Sequence, residues 1–138
     1  MCTRTNTKTS TLMAAYAGYA DSVGMPEPTS IHLRPEDLEL DIHPRVQAYT
    51  DPVAVLSSLL LWTRNLHGIT GTWRRTTGES LHISITGRLN SGVRVTVYDG
   101  IDYQAAAGLV YLEPEQSESV ALDELSFLAA ELHGTPAA

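Results

Sequence analysis

Arginine, histidine, serine, threonine and tyrosine recur at alternate positions through residues 70–98, the spacing that puts side chains of a β-strand on one face. Thr70, Thr72 and Arg74 form a first set, His82, Ser84, Thr86 and Arg88 a second, and Arg94, Thr96 and Tyr98 a third. Guanidiniums among hydroxyls offer donors to phosphate oxygens, and Tyr98 adds a ring for stacking. Arg74, Arg88, Arg94, His82 and Tyr98 are therefore candidates for binding an anion or nucleic acid. The other reading is a solvated sheet surface of β-branched threonines, its arginines neutralised by carboxylates from elsewhere in the fold. Arg88 and Arg94 fall directly opposite each other, which is destabilising unless an anion or carboxylate lies between them.

His82 beside Ser84 is the one pair with the elements of a hydrolase, a base next to a hydroxyl. It lacks an orienting acid in the sequence and any nucleophile-elbow spacing. Asp37, Glu39, Asp41 and His43 project to one side of a short alternating segment. Same-face neighbours on a strand lie about 7 Å apart, too far for more than two of them to share an ion. The segment reads instead as a charged edge strand or as a partner for the arginine face. His67 and His133 each precede a glycine where a helix is expected to end, a position that suits partial positive charge. P-loop, dinucleotide-binding, zinc-protease and calcium-loop motifs are absent, and Gly68-Ile69-Thr70-Gly71 is more simply a helix stop leading into a strand. No cofactor or metal is expected.

A third set of residues is apolar where polar is expected. Leu61 falls on the polar side of a helix read at 51–67, and Val120 and Phe127 fall on the polar side of one read at 119–132. Phe127 is the only phenylalanine in the chain, and Asp123, Glu124 and Glu131 surround it on that helix. An aromatic anchor with a charged rim is the layout of a protein interface. Leu61, Val120, Phe127, Asp123, Glu124 and Glu131 are the interface candidates.

The elements that would position these groups are readable. A polar stretch at 1–9 reads as a flexible tail, and a first helix at 10–23 stops at Gly24 and Pro26. Its apolar Leu12 to Ala20 stretch follows Arg4 and Lys8, but Tyr16, Gly18 and Tyr19 interrupt it, so it reads as a helix rather than an export signal. Strands at 30–33 and 38–42 follow. Asp51 and Pro52 are the cap and first residue of the central helix, whose apolar positions cover half its circumference and call for contacts on two sides. A three-stranded meander at about 69–99 is then closed by two turns, Thr76-Thr77-Gly78 and Asn90-Ser91-Gly92, each with glycine at the left-handed position. The turns set Trp73 opposite Leu81, Gly71 opposite Ile83, Gly87 opposite Val95 and Ile85 opposite Val97. Asp99-Gly100 reads as a turn, and residues 105–112 as strand or helix.

These elements amount to a single α+β domain, 10–138, with an antiparallel sheet of four to six strands and helices on one face. Its 138 residues suit one core, and its lone Cys2 favours a reducing, cytoplasmic setting. Net charge is −7, with eight acids and no Lys or Arg from Asp99 onward, against five Arg and one acid between Arg64 and Arg94. With no catalytic motif and an all-acidic end, the expected role is a non-catalytic protein-binding or regulatory one. It would work by self-association or by presenting an acidic surface to a basic partner. Nucleic-acid or phosphate binding on the arginine and threonine face is the alternative, and hydrolysis by His82 and Ser84 a further one.

Overall fold

The fold was analysed in a computed structural model, which describes residues 7–46 and 51–134. Ten elements follow in order: α1 (Thr7–Val23), β1 (Ser30–Arg34), β2 (Glu39–His43), α2 (Pro52–Thr63), β3 (His67–Arg75), β4 (Ser80–Arg88), β5 (Arg94–Asp102), α3 (Tyr103–Ala106), β6 (Ser117–Val120) and α4 (Leu122–Gly134). The strands form one six-stranded sheet, ordered β1-β2-β5-β4-β3-β6. Every neighbouring pair is antiparallel except β2 and β5, which run parallel. The α+β class therefore holds, with a mixed rather than purely antiparallel sheet.

The parallel pair arises because α2 carries the chain away after β2, and the meander then returns with β5 as its last strand. β2 is thus an interior strand, and the edges are β1 and β6. The charged-edge reading of Glu39, Asp41 and His43 is corrected accordingly. Asp37 lies apart from them in a single 3-10 turn, Pro35–Asp37, that closes the β1–β2 hairpin.

Alternation builds the core. Leu40 and Ile42 of β2, Val95 and Val97 of β5, and Leu81, Ile83 and Ile85 of β4 all point to the helical side and are fully buried. Over them lies α2, with Val55, Leu56, Leu59 and Trp62 buried against β5 on one flank and α4 on the other, as its wide apolar surface requires. Asp51 accepts from the Val53 N–H at 3.0 Å and Pro52 occupies the first turn. α1 crosses the β1–β2 end. There Tyr19 meets Trp62 edge to face, with centroids 5.6 Å apart, and its hydroxyl donates to the Trp62 carbonyl. Burial raises the Tyr19 hydroxyl's pKa, so it stays protonated and able to donate.

Several expected boundaries move. α1 starts at Thr7, so only the first six residues of the expected tail fall outside the described residues, Cys2 and Arg4 among them. α2 ends at Thr63, and His67 opens β3 rather than capping a helix. Gly68 does take a positive φ of 60°, but in a register break at the start of β3. Ser58 of α2 is buried as well. The second meander turn is as read: Gly92 has φ 91°, Gly87 pairs with Val95, and Ile85 with Val97.

The first turn is displaced. Thr76 N–H bonds to the Ser80 carbonyl, so the loop is residues 77–79, and the left-handed residue is Glu79 at φ 64°, not Gly78. Trp73 consequently faces Ile83, and Gly71 faces Ile85. Because the slip is an even one, every side chain keeps its face. Glu79 is held there by Arg75, whose Nη2 donates to both carboxylate oxygens, at 2.9 and 2.8 Å, which offsets the cost of its backbone.

Candidate protein-binding groove and the open sheet face

Asp99-Gly100 is not a turn: β5 runs on to Asp102, whose carboxylate caps the single turn of α3 by accepting from the Gln104 N–H at 3.1 Å. Tyr103 is thereby buried, and its hydroxyl donates to the Val110 carbonyl at 2.7 Å and accepts from the Leu112 N–H at 3.1 Å. Arg75 stacks on the same ring, 4.1 Å from its centroid, and donates to the Leu112 carbonyl at 2.8 Å. One phenol and one guanidinium so fasten residues 110–112, which belong to no strand or helix. Val110 and Leu112 point inward, and Leu109 and Tyr111 outward, 42% and 78% exposed. Residues 105–112, read as strand or helix, are therefore the end of α3 followed by a pinned loop.

The strand comes later, as β6. Its Val120 is 4% exposed and pairs with Gly71 on β3. Val120 is therefore corrected from an interface candidate on a helix to a core residue on a strand. The helix begins at Leu122 because the Glu124 carboxylate reaches back to the Ala121 N–H at 2.9 Å, half of a capping box. Asp123 and Glu124 sit in its first turn, where the helix dipole favours them. Leu125 and Leu128 fill the space beside α2, and Phe127 is left 60% exposed.

Between α4 and residues 109–111 a groove of about 410 Å³ opens. Trp73 forms its floor, its indole N–H donating to Glu118 at 3.3 Å, and Leu109, Tyr111 and Phe127 line its walls. Three of the seven large apolar side chains exposed among the described residues meet in this one place, so their exposure is not the scatter of an ordinary surface. Glu118, Asp123 and Glu124 supply the rim, and no basic residue lines it. Phe127, Asp123 and Glu124 line the same groove. Leu61, 38% exposed on α2, and Glu131, exposed on α4, are not among the lining residues. Leu109, Tyr111 and Glu118 went unread, and Trp73 was read only as a residue of the meander. The signal available for them was Tyr111, an aromatic flanked by apolar Val110 and Leu112.

Among the described residues the opposite face of the sheet carries no helix, and its side chains stand in cross-strand rows. Arg34, Glu39, Arg94, Arg88 and His67 are successive partners across five strands, and His32, Asp41, Thr96, Thr86 and Thr70 form the next row. Most of its arginines are neutralised. Arg34 pairs with Glu39 and with Asp41 at 3.2 Å, Arg94 reaches Glu39 at 3.5 Å, and Arg74 reaches Glu115 at 3.1 Å. Tyr98 lies in a row of parallel rings, with His43 at 5.2 Å and His82 at 6.1 Å. Tyr98 was the one aromatic expected on this face. His43 joins it only through the parallel β2–β5 pairing.

Asp99, on β5 beside this row, is buried and accepts from His43 Nε2 at 3.3 Å and from the Gly100 N–H at 2.8 Å. His82 has its pKa lowered by burial first and by Arg74 second, against a smaller opposing pull from Asp99. No hydrogen bond joins His82 to Ser84 among the described residues, and no cluster of three His, Cys, Asp or Glu able to hold a metal occurs among them. No helix among them is long and apolar enough to cross a membrane.

The fold and groove together define a class, a two-layer α+β protein with an aromatic, acid-rimmed cleft at one sheet edge. Compared with known protein families, with curated proteins and with solved structures, the chain has no match.

Proposed function

We propose that this protein acts by binding another protein through the groove between α4 and residues 109–111, without catalysis. The partner segment would be basic, with an apolar side chain seated between Phe127 and Tyr111. The observation carrying this reading is the convergence of Leu109, Tyr111 and Phe127, all exposed, inside a rim of Glu118, Asp123 and Glu124. Aromatic anchors supply most of an interface's energy, and rim charges set its specificity and speed of encounter. The net charge of −7 adds a negative field that draws a basic partner to the molecule. The lone Cys2 suits action in the cytoplasm.

A random peptide library displayed on phage and selected against the intact protein tests this. Enriched peptides should combine Lys or Arg with one large apolar residue. Their binding should weaken at least tenfold in Phe127→Asp while the unfolding midpoint changes little, because Phe127 is on the surface. Selected peptides without basic character, or binding indifferent to Phe127→Asp, would count against the proposal. Sedimentation of the free protein separates the self-association form, in which a second copy fills the groove.

A further inference from the structure

We infer that the pair Arg88 and Arg94, at one end of the helix-free sheet face, is a binding site for a phosphate group. The two residues are direct cross-strand partners. The next pair toward the turn, Leu89 and Val93, is joined by a hydrogen bond of 2.9 Å, so the arginines occupy the closer, non-hydrogen-bonded kind of pair. Two like charges at that spacing repel. Only part of the repulsion is compensated. Glu39 lies 3.5 Å from Arg94 but is in closer contact with Arg34, and Arg88 has no ion pair among the described residues. In a chain with 16 acids and nine Lys and Arg, the fold brings no carboxylate to this corner for Arg88.

What the corner lacks is an anion able to accept from two guanidiniums at once, and tetrahedral oxyanions do this in the bidentate geometry arginine offers. The neighbouring row adds a donor. Thr86 and Thr96 share one hydroxyl–hydroxyl hydrogen bond of 2.9 Å, which uses one of their two hydrogens and leaves the other for an acceptor above the sheet. Two sources carry such a phosphate, a free ion and the backbone of a single nucleic-acid strand. For the second, the rings of Tyr98 and His43 lie about 13 Å, and that of His82 about 20 Å, further along the strand direction on the same face. This site is on the face opposite the groove and does not depend on the groove's role.

The test is a titration of the ¹⁵N-labelled protein with inorganic phosphate and, separately, with a short single-stranded oligothymidylate. The guanidinium Nε signals of Arg88 and Arg94 are followed, with sodium chloride at matched ionic strength as control. Saturable shifts of both signals by phosphate, weakened at least fivefold in Arg88→Thr and in Arg94→Thr, support the site and identify a free anion. Tighter binding of the oligomer that also moves Tyr98 and His82, and weakens steeply with salt, supports it with a strand as source. Absence of binding by either probe, equal shifts from chloride, or unchanged titrations in both variants overturns it. Arg88→Thr keeps a good strand former at an exposed position, and a phosphate-induced rise in its melting midpoint as large as the wild type's would also overturn the site.

Discussion

Replacing Gly71 by alanine would place a methyl carbon 2.6 Å from the Val120 carbonyl oxygen and 3.2 Å from its Cγ1. An ordinary carbon–oxygen contact is no closer than about 3.3 Å, so roughly 0.7 Å must be found. The obstructing atom is backbone, which cannot rotate away as the end of a side chain would. It belongs to β6, a four-residue edge strand held to β3 by pairs from Gly71–Val120 to Arg74–Ser117. Overpacking of this kind costs about 1–3 kcal/mol, well inside the about 5–15 kcal/mol that keeps a domain folded. With an unfolding entropy of about 2.1 cal/mol/K per residue, a chain of 138 residues loses about 3–4 °C of melting midpoint per kcal/mol. Gly71→Ala should therefore fold, but melt about 3–10 °C below the wild type by circular dichroism. Because Glu118 accepts from the Trp73 indole N–H at 3.3 Å, displacement of β6 should also shift that proton in the NMR spectrum. A midpoint within 1 °C of the wild type, with an unmoved Trp73 indole signal, would refute the seating of β6 against β3 and the groove floor with it.

Glu79→Gly relieves a left-handed backbone worth about 1 kcal/mol but gives up the Arg75 pair, whereas Glu79→Ala gives up the pair and keeps the strain; urea titration should find the glycine variant about 1 kcal/mol the more stable. His82 has its pKa depressed in the fold, so below its ordinary value of 6.5 the unfolded chain binds the proton more readily. Its contribution is complete above that pH and is lost as the pH falls through the folded value, so His82→Gln should flatten the acid limb of stability against pH; an unchanged limb would disprove the burial of a neutral ring. Tyr19→Phe removes the donor to the Trp62 carbonyl and should cost about 1 kcal/mol in the same urea assay, with a neutral result showing that solvent reaches that oxygen.

What the chain declares locally proved legible, and what depends on distant partners did not. Asp51-Pro52 and Asn90-Ser91-Gly92 carry their geometry in their own side chains or lack of them, and both elements form as read. Thr76-Thr77-Gly78 has the same signature, yet the left-handed residue is Glu79, because the Arg75 pair and the Thr76 hydroxyl, which accepts from the Ser80 N–H at 3.1 Å, outweigh glycine's freedom. β6, Ser-Glu-Ser-Val, has no apolar alternation to announce it and exists only because β3 offers an edge. The candidate site was half visible for the same reason. Phe127 with Asp123 and Glu124 could be seen along one helix, while the wall of Leu109 and Tyr111 depends on Tyr103 and Arg75 fastening a segment that has no regular structure of its own.

The parallel seam between β2 and β5 has a consequence for how the chain matures. The β1–β2 hairpin is made early, but its one other neighbour in the sheet begins at Arg94, and Glu39 finds its register only opposite that residue. Until then Leu40 and Ile42 are without the strand beside them, and closing so long a loop is entropically slow. During synthesis on a ribosome, the N-terminal third is thus a guest awaiting its host. The cleft, whose walls at residues 109–111 and α4 follow β5 in the chain, would take shape only after Arg94 and its strand have emerged.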